Sequence, residues 1–417
     1  MFGSVPTQAK ALAEYQPVIG RDRLEEIRCL ADQLQGARVL HVNATAYGGG
    51  VAELLATLVP LMNDVGLQAD WQVIKGAEEF FQVTKALHNA LQGGQKAVIS
   101  EEMWETWRRY NRLNAELFDL DDYDFVVIHD PQPAGLLTFL QQRLGRRPHG
   151  KWIWRCHIDL TEARPEVWAH LRPYIEQYDA AIFTMESYVK SDLRVPRIAI
   201  MPPAIDPLSP KNADMACEEI RAILTRYGVD PDRPIVSQVS RFDPWKDPLG
   251  VIDAYRAVKE KVRDLQLVMV ASMASDDPEG WLFYERTARR AGEDFDIFLL
   301  SNLQGVGNWE VNAFQRASQV IIQKSIREGF GLVVAEGLWK GKPVVGGNVG
   351  GIPLQVIDGE TGYLVSSTEE CAERVLQLLR DKQLAARLGR VGREHVREHF
   401  LITRYLRDYL SLFVSLR

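Results

Sequence analysis

The sequence predicts an α/β chain built from two doubly wound parallel sheets. Three observations carry this expectation. From Arg38 onward, short β-type runs alternate with amphipathic helical stretches. The β-runs are apolar throughout rather than at every second residue, as in parallel strands covered on both faces. The alternation breaks once, at Met201-Pro-Pro-Ala-Ile-Asp-Pro-Leu-Ser-Pro210, where four prolines in ten residues allow neither a central strand nor a helix.

In the first half, strands are expected over 39–43, 70–74, 125–129, 152–156, 180–184 and 197–201. Helices are expected between them over 51–65, 78–91, 101–117, 134–143 and 165–177. After the prolines the pattern restarts, with strands over 235–239, 265–271, 297–300, 320–323 and 343–346. The intervening helices fall over 248–262, 280–291, 309–317 and 332–340, and the chain from Ala372 reads as helical and charge-rich. The boundary divides an N-terminal domain, 1–204, from a C-terminal domain, 205–397. A last helix, 398–417, is expected to cross back onto the first. Two such sheets would face a cleft lined by the carboxyl ends of their strands, where open α/β sheets bind ligands.

Composition narrows the chemistry. Of 417 residues, 46% are hydrophobic and 25% charged, which excludes a disordered or low-complexity chain. A net charge of −7 argues against a nucleic-acid or anionic-membrane partner, so any phosphate must be held by a local cluster of donors. Met1 to Lys10 lacks the apolar core of a signal peptide, and no apolar run reaches the ~18 residues of a membrane span. The four cysteines form no CxxC pair and read as reduced, buried thiols; a cytoplasmic protein is expected.

Four segments sit where such a cleft would form. Asn43-Ala-Thr-Ala-Tyr-Gly48-Gly49-Gly50 joins the first strand to its helix, and consecutive glycines let backbone N–H groups approach an anion. A plain flexible turn seldom requires three glycines. Ser240-Arg241-Phe-Asp-Pro-Trp-Lys246 follows the first strand of the second half, and a guanidinium and an ammonium five apart can clamp a diphosphate. Ser325-Ile-Arg-Glu328-Gly329-Phe330-Gly331-Leu332-Val-Val-Ala-Glu336 leads from a strand into a helix start, with two carboxylates eight apart for sugar hydroxyls. His129-Asp130 and His157-Ile-Asp159 end two first-half strands and would form a polar floor for a polyol. His395-Val-Arg-Glu398-His399 matches a zinc-protease spacing, but arginines interleave it, so it reads as a solvated helix face with no metal.

Beyond these residue-level readings, the second half resembles retaining glycosyltransferases of the GT-B architecture, family 4. Arg241…Lys246, Glu328-Gly-Phe-Gly…Glu336, Gly346-Gly-Asn-Val-Gly-Gly-Ile352 and Asp358-Gly-Glu-Thr-Gly362 carry the likeness. In the first half, His41-Val-Asn-Ala-Thr-Ala-Tyr-Gly-Gly-Gly-Val-Ala-Glu53, His129-Asp-Pro-Gln-Pro133, Trp154-Arg-Cys-His-Ile-Asp159 and Met201-Pro-Pro-Ala-Ile-Asp-Pro207 resemble the trehalose glycosyltransferring synthases. Gln238-Val-Ser-Arg-Phe-Asp-Pro-Trp-Lys246 and Asp276-Asp-Pro-Glu-Gly-Trp281 resemble them too, and the likeness spans roughly Leu24 to Leu410.

That resemblance implies a hexosyltransferase making α,α-trehalose from UDP- or ADP-glucose and glucose, with retention at the anomeric carbon. Glu328, Arg241, Lys246 and His157 would be the catalytic residues. Gly48, Gly49, Gly50, Arg241, Lys246, Glu328, Gly329, Phe330, Gly331, Leu332 and Glu336 would bind the donor, with Glu336 on the ribose and Glu328 on the glucose. Asn43, Asp130, His157 and Asp159 would bind the acceptor. No tightly bound cofactor is implied; magnesium would accompany the diphosphate. The partners are small molecules, and a homodimer is expected. A trehalose phosphorylase and a nucleotide-sugar epimerase of the same architecture are the alternatives.

Overall fold

The computed structural model describes residues 3–47, 49–94, 98–119, 122–273 and 278–417, so Gly48, Asp276 and Asp277 lie outside the described residues. The chain forms two compact units. The first holds Met1–Pro203 together with Ile402–Arg417, and the second holds Ala204–Leu401.

The first unit is built on a sheet of β1 (Gly3–Ser4), β2 (Arg38–Asn43), β3 (Gln68–Val73), β4 (Phe125–His129), β5 (Lys151–Arg155), β6 (Ala180–Phe183) and β7 (Arg197–Ile200). Their order is β1-β3-β2-β4-β5-β6-β7; every pairing is parallel except that of the short edge strand β1. β4 (Phe-Val-Val-Ile-His) is buried along its whole length, as its unbroken apolar run requires between two helical layers. Around it packs a core that includes Trp104, Trp107, Trp152, Trp154 and Trp168.

The second sheet contains β8 (Ile235–Val239), β9 (Gln266–Ala271), β10 (Ile297–Ser301), β11 (Val320–Gln323), β12 (Val344–Gly347) and β13 (Gly362–Val365), in the order β10-β9-β8-β11-β12-β13, all parallel. Its two faces carry separate cores, one around Tyr255, Leu267 and Ile322, the other around Ile235, Val268 and Phe314.

Strand order fixes where a ligand can sit. In the first sheet the chain leaves β2 toward β3 and then returns to the other side with β4. In the second it leaves β8 toward β9 and returns with β11. A crevice opens at such a reversal, outside the carboxyl ends of the two central strands. The residues after β2 and β4, and after β8 and β11, therefore occupy the two switch points.

Most expected elements are present within one or two residues. Helix ends fall short of expectation at Pro248–Lys259 and Pro165–Ile175. Elements not anticipated include the helices Arg21–Asp32 and Cys217–Arg226 and the strands β1 and β13, besides short helices such as Gln16–Ile19 and Ile352–Gln355. The expectation of four buried thiols is corrected, since Cys156 and Cys371 are buried but Cys29 and Cys217 lie exposed on those two helices. The solvated reading of the His395 face also needs correction. His395 bonds through Nε2 to the Leu354 carbonyl at 2.9 Å and packs edge-on against Phe400. No helix among the described residues is long and apolar enough to cross a membrane.

Candidate active site

At the switch point of the first sheet, β2 ends in Asn43, which is buried. Its Oδ1 accepts from Trp71 Nε1 at 2.8 Å, and its Nδ2 donates to the Thr45 carbonyl at 2.7 Å, shaping the loop that leads to the glycines. Gly49 caps the helix Gly50–Asp64 with φ +124°, and the exposed Glu53 already places a carboxylate in that helix's first turn. Tyr47 stands on the loop, 80% exposed.

β4 delivers His129 and Asp130, and β5 delivers Arg155 and His157. Asp130 holds a left-handed backbone, φ +67°, which few residues other than Gly, Asn and Asp tolerate. Its Oδ1 accepts the His157 backbone N–H at 2.8 Å, and its carbonyl accepts Trp154 Nε1 at 3.0 Å. Burial pushes its carboxyl up to about 6, against the hydrogen bond from His157 and the nearby Arg155 cation. Three histidines stand in line: His41 Nδ1 lies 3.0 Å from His129 Nε2, and His129 Nδ1 lies 3.0 Å from His157 Nε2. Burial, foremost, keeps all three neutral; His41 falls to about 3 and the others well below the usual histidine range. Asp159 accepts the Thr161 N–H at 2.8 Å, so its carboxylate closes a local turn.

At the second switch point, the loop after β8 places Lys246 Nζ 2.6 Å from Glu328 Oε2, and Ser325 Oγ lies 3.3 Å from the same oxygen. Arg241 reaches outward, its side chain 64% exposed, with Nη2 3.1 Å from Asp243. Asp243 Oδ1 also accepts from Trp245 N at 2.7 Å, and the Ile326 N–H donates to the Trp245 carbonyl at 2.8 Å. These bonds tie the two loops together. Asp247 caps the helix Pro248–Lys259 and pairs with the buried Lys324.

Gly331 caps the helix Leu332–Trp339 with φ +79°. A Cβ there would also press within 3.1 Å of Glu328 Cγ, so glycine serves both the turn and the close approach of Glu328. The Phe330 ring is buried against Phe400, which leaves only its backbone for a ligand; Gly329, Gly331 and Leu332 are half-buried. Glu336 is buried one turn into the helix, with Lys211 Nζ at 3.5 Å and Gln315 Nε2 at 3.4 Å.

The expected site residues thus fall into two groups: Asn43, Asp130 and His157 on the first sheet, and Arg241, Lys246, Glu328, Gly329, Gly331 and Glu336 on the second. Sequence reasoning missed His41, Arg155, Lys211 and Ser325. A histidine inside an otherwise apolar β2 was the available signal for His41, and a fully buried arginine ending β5 has none without the fold. Among the described residues, no three His, Cys, Asp or Glu side chains come together as metal ligands.

Residues 41–190 match the family model described as the N-terminal domain of trehalose synthase, and residues 219–395 match glycosyl transferases group 1. The chain is 52% identical over 408 residues to the trehalose synthase of Thermococcus litoralis, covering 98% of each. The chain belongs to the trehalose synthase family. Another member, from Rubrobacter xylanophilus, is 51% identical over 409 residues, 98% of this chain and 97% of that protein. Trehalose phosphorylases are more distant relatives of this chain: that of Pleurotus pulmonarius is 28% identical over 92% of this chain and 58% of its own. The fold is that of the GT-B glycosyltransferases, seen in the trehalose-6-phosphate synthase OtsA, with a TM-score of 0.72 at 15% identity over 91% of this chain and all of that one.

Proposed function

We propose that this enzyme transfers glucose from a nucleotide-diphosphate glucose to free glucose, with retention, giving α,α-trehalose and the nucleoside diphosphate. The observation that carries the reading is the Lys246–Glu328 pair at the second switch point, 2.6 Å apart, with Arg241 extended beside it. Lys246 and Arg241 offer positive charge where the bond from the anomeric carbon to the diphosphate breaks, and the half-buried helix start at Gly331 adds free N–H groups. Glu328, held by Lys246 and Ser325, accepts hydrogen bonds from the glucosyl hydroxyls. Glu336 accepts from the ribose hydroxyls, exchanging its contact with Lys211 for them.

On the first unit, Asp130 and His157 line the acceptor and the transferred sugar. Asn43 contributes through the loop it shapes, and Asp159 through the turn it closes. Among the described residues, the two carboxylates of this group, Glu328 and Glu336, are each engaged by a lysine, which favours a reading without a covalent glycosyl intermediate. The acceptor oxygen therefore joins the anomeric carbon on the face the diphosphate leaves, and its proton passes to the departing phosphate oxygen. Magnesium would arrive on the diphosphate, since Asp243 and Asp247 are committed to Arg241 and Lys324. The reading also includes a homodimer, tested by sedimentation, and a cytoplasmic location, expected from the cysteine usage.

The deciding assay incubates the enzyme with UDP-, ADP- or GDP-glucose plus glucose and identifies the disaccharide by NMR. An α,α-linkage with release of nucleoside diphosphate is expected. Glucose 1-phosphate formed from trehalose and phosphate, with no nucleotide requirement, would make it a phosphorylase instead.

A further inference from the structure

Two of the three histidines lie on the adjacent strands β2 and β4 and the third just beyond β5, climbing toward the carboxyl edge of the sheet. His41 sits inside β2, His129 ends β4, and His157 follows β5 by two residues. His41 and His129 are fully buried, while His157 is partly exposed at the edge. The parallel ladders hold β2 beside β4 and β4 beside β5, and His157, just beyond β5, is fixed by its backbone N–H on Asp130 Oδ1 at 2.8 Å.

A neutral imidazole carries one ring proton, and an N···N hydrogen bond needs one donor and one acceptor. Two proton arrangements satisfy both 3.0 Å contacts. In one, every ring is protonated on Nδ1: His41 donates to His129, His129 donates to His157, and His157 keeps an outward Nδ1–H. In the other, every ring is protonated on Nε2, the direction reverses, and His41 directs an N–H inward. The surroundings of His41 separate them. Its Nε2 is buried with no hydrogen-bond partner, so an inward N–H would be an orphaned donor, which proteins tolerate less than an orphaned lone pair. The ring of Tyr409 meets His41 edge-on at 5.6 Å, on the final helix.

We propose that His41 and His129 are positioning residues that lock His157 in its Nδ1–H form, so that it presents a hydrogen-bond donor to a hydroxyl oxygen of the transferred sugar. The hydroxyl as ligand rests on the reading above; the proton arrangement does not. Isolated histidine favours the opposite, Nε2–H, form. The groups facing the line from the packed elements are Asp130 and Arg155 on the neighbouring strand ends, the Cys156 thiol, which donates to the Ile158 carbonyl, and Tyr405 and Tyr409 of the final helix. Burial foremost, and the Arg155 guanidinium beside them, disfavour a proton on His129 and His157.

The test is long-range proton–nitrogen NMR on the full-length protein labelled at histidine nitrogens, with His157 assigned by its absence in His157→Gln. The wild type should show His157 as Nδ1–H. In His129→Phe it should revert toward Nε2–H, with kcat/KM for the nucleotide glucose falling about tenfold and KM for glucose little changed. His129→Gln, whose amide can accept from His41 and donate to His157, should restore the Nδ1–H form and most of the rate. An Nε2–H signal in the wild type overturns the proposal, as does a tautomer in His129→Phe unchanged from the wild type. Folding is checked by circular dichroism, and the wild-type spectrum is decisive without any variant. If the tautomer is as stated but no trehalose forms from any nucleotide glucose, the functional reading fails and the histidine line stands.

Discussion

Asp130 combines two costs that residues away from a site seldom bear, a left-handed backbone and a buried carboxyl. Its carboxyl is held at about 6, above the ~3.9 of an unfolded chain, so its contribution to stability is present below pH ~4 and lost as pH rises through 6. Asparagine tolerates the same backbone and can accept the same His157 N–H. Asp130→Asn should therefore gain stability relative to wild type between pH 4 and 7, by up to about 3 kcal/mol; calorimetry across that range tests it. At the second switch point, Lys246→Ala and Glu328→Gln should each lower kcat by roughly 100- to 1000-fold in the product assay, with the fold intact. Arg241→Ala should cost as much, although here Arg241 reaches outward and pairs with Asp243. These residues were legible because chemistry needs their types just after strands. His41 and Lys211 were not, because their roles arise from neighbours 88 and 125 residues away in sequence.

Elements show the same division. Strands β2, β4, β5, β8 and β11 were readable as apolar runs, since a strand covered on both faces has no polar side. β13 was not, because Gly-Tyr-Leu-Val is too short to show a pattern. It is a strand because Gly362 lets it approach β12, where a Cβ would meet the Val344 carbonyl at 2.2 Å. The histidine line gives its three strands an acid weakness. Each ring stays neutral in the fold but takes up a proton when unfolded below pH ~6.5, so stability is present above that value and lost as pH falls. Asp130 opposes this between 4 and 6, leaving about two net protons, or about 3 kcal/mol per pH unit. Urea unfolding at pH 7, 6 and 5 should show this slope, and His41→Phe should flatten it. The helix Lys382–His399 depends on a different detail. At Gly389 a Cβ would meet the Gly341 carbonyl at 1.9 Å, so Gly389→Ala should destabilise by about 1–3 kcal/mol in thermal denaturation. An open helix position would instead gain about 1 kcal/mol from the same change.

At the scale of the whole molecule, the proline-rich segment made the change of unit readable near Pro203, because proline excludes both regular structures there. The second change, at Leu401–Ile402, falls four residues after the expected start of the last helix at 398, because helix precedes and follows it and composition marks no boundary. It is fixed by contacts. Ile205 N–H donates to the Phe400 carbonyl and pairs with Leu401, while the half-buried Arg404 donates to the Pro202 carbonyl at 2.6 Å. The final helix, Ile402–Leu416, then lays Tyr405, Leu406, Tyr409, Leu410, Leu412 and Phe413 into the first unit, with Phe413 stacked on Phe125 at 4.4 Å. Ending the chain at Leu401 should leave the first unit open to hydrogen exchange throughout while the second keeps its protection, as read by mass spectrometry.

That helix also sets a clock on synthesis. As the chain leaves the ribosome, the sheet from β1 to β7 is complete, yet the piece that seals its back is still untranslated. Roughly 200 residues of the second unit must be made first, about 10–40 s at ordinary elongation rates. For that interval the apolar surface around Phe125 waits uncovered, and a chaperone binding it would be released by the enzyme's own last sixteen residues.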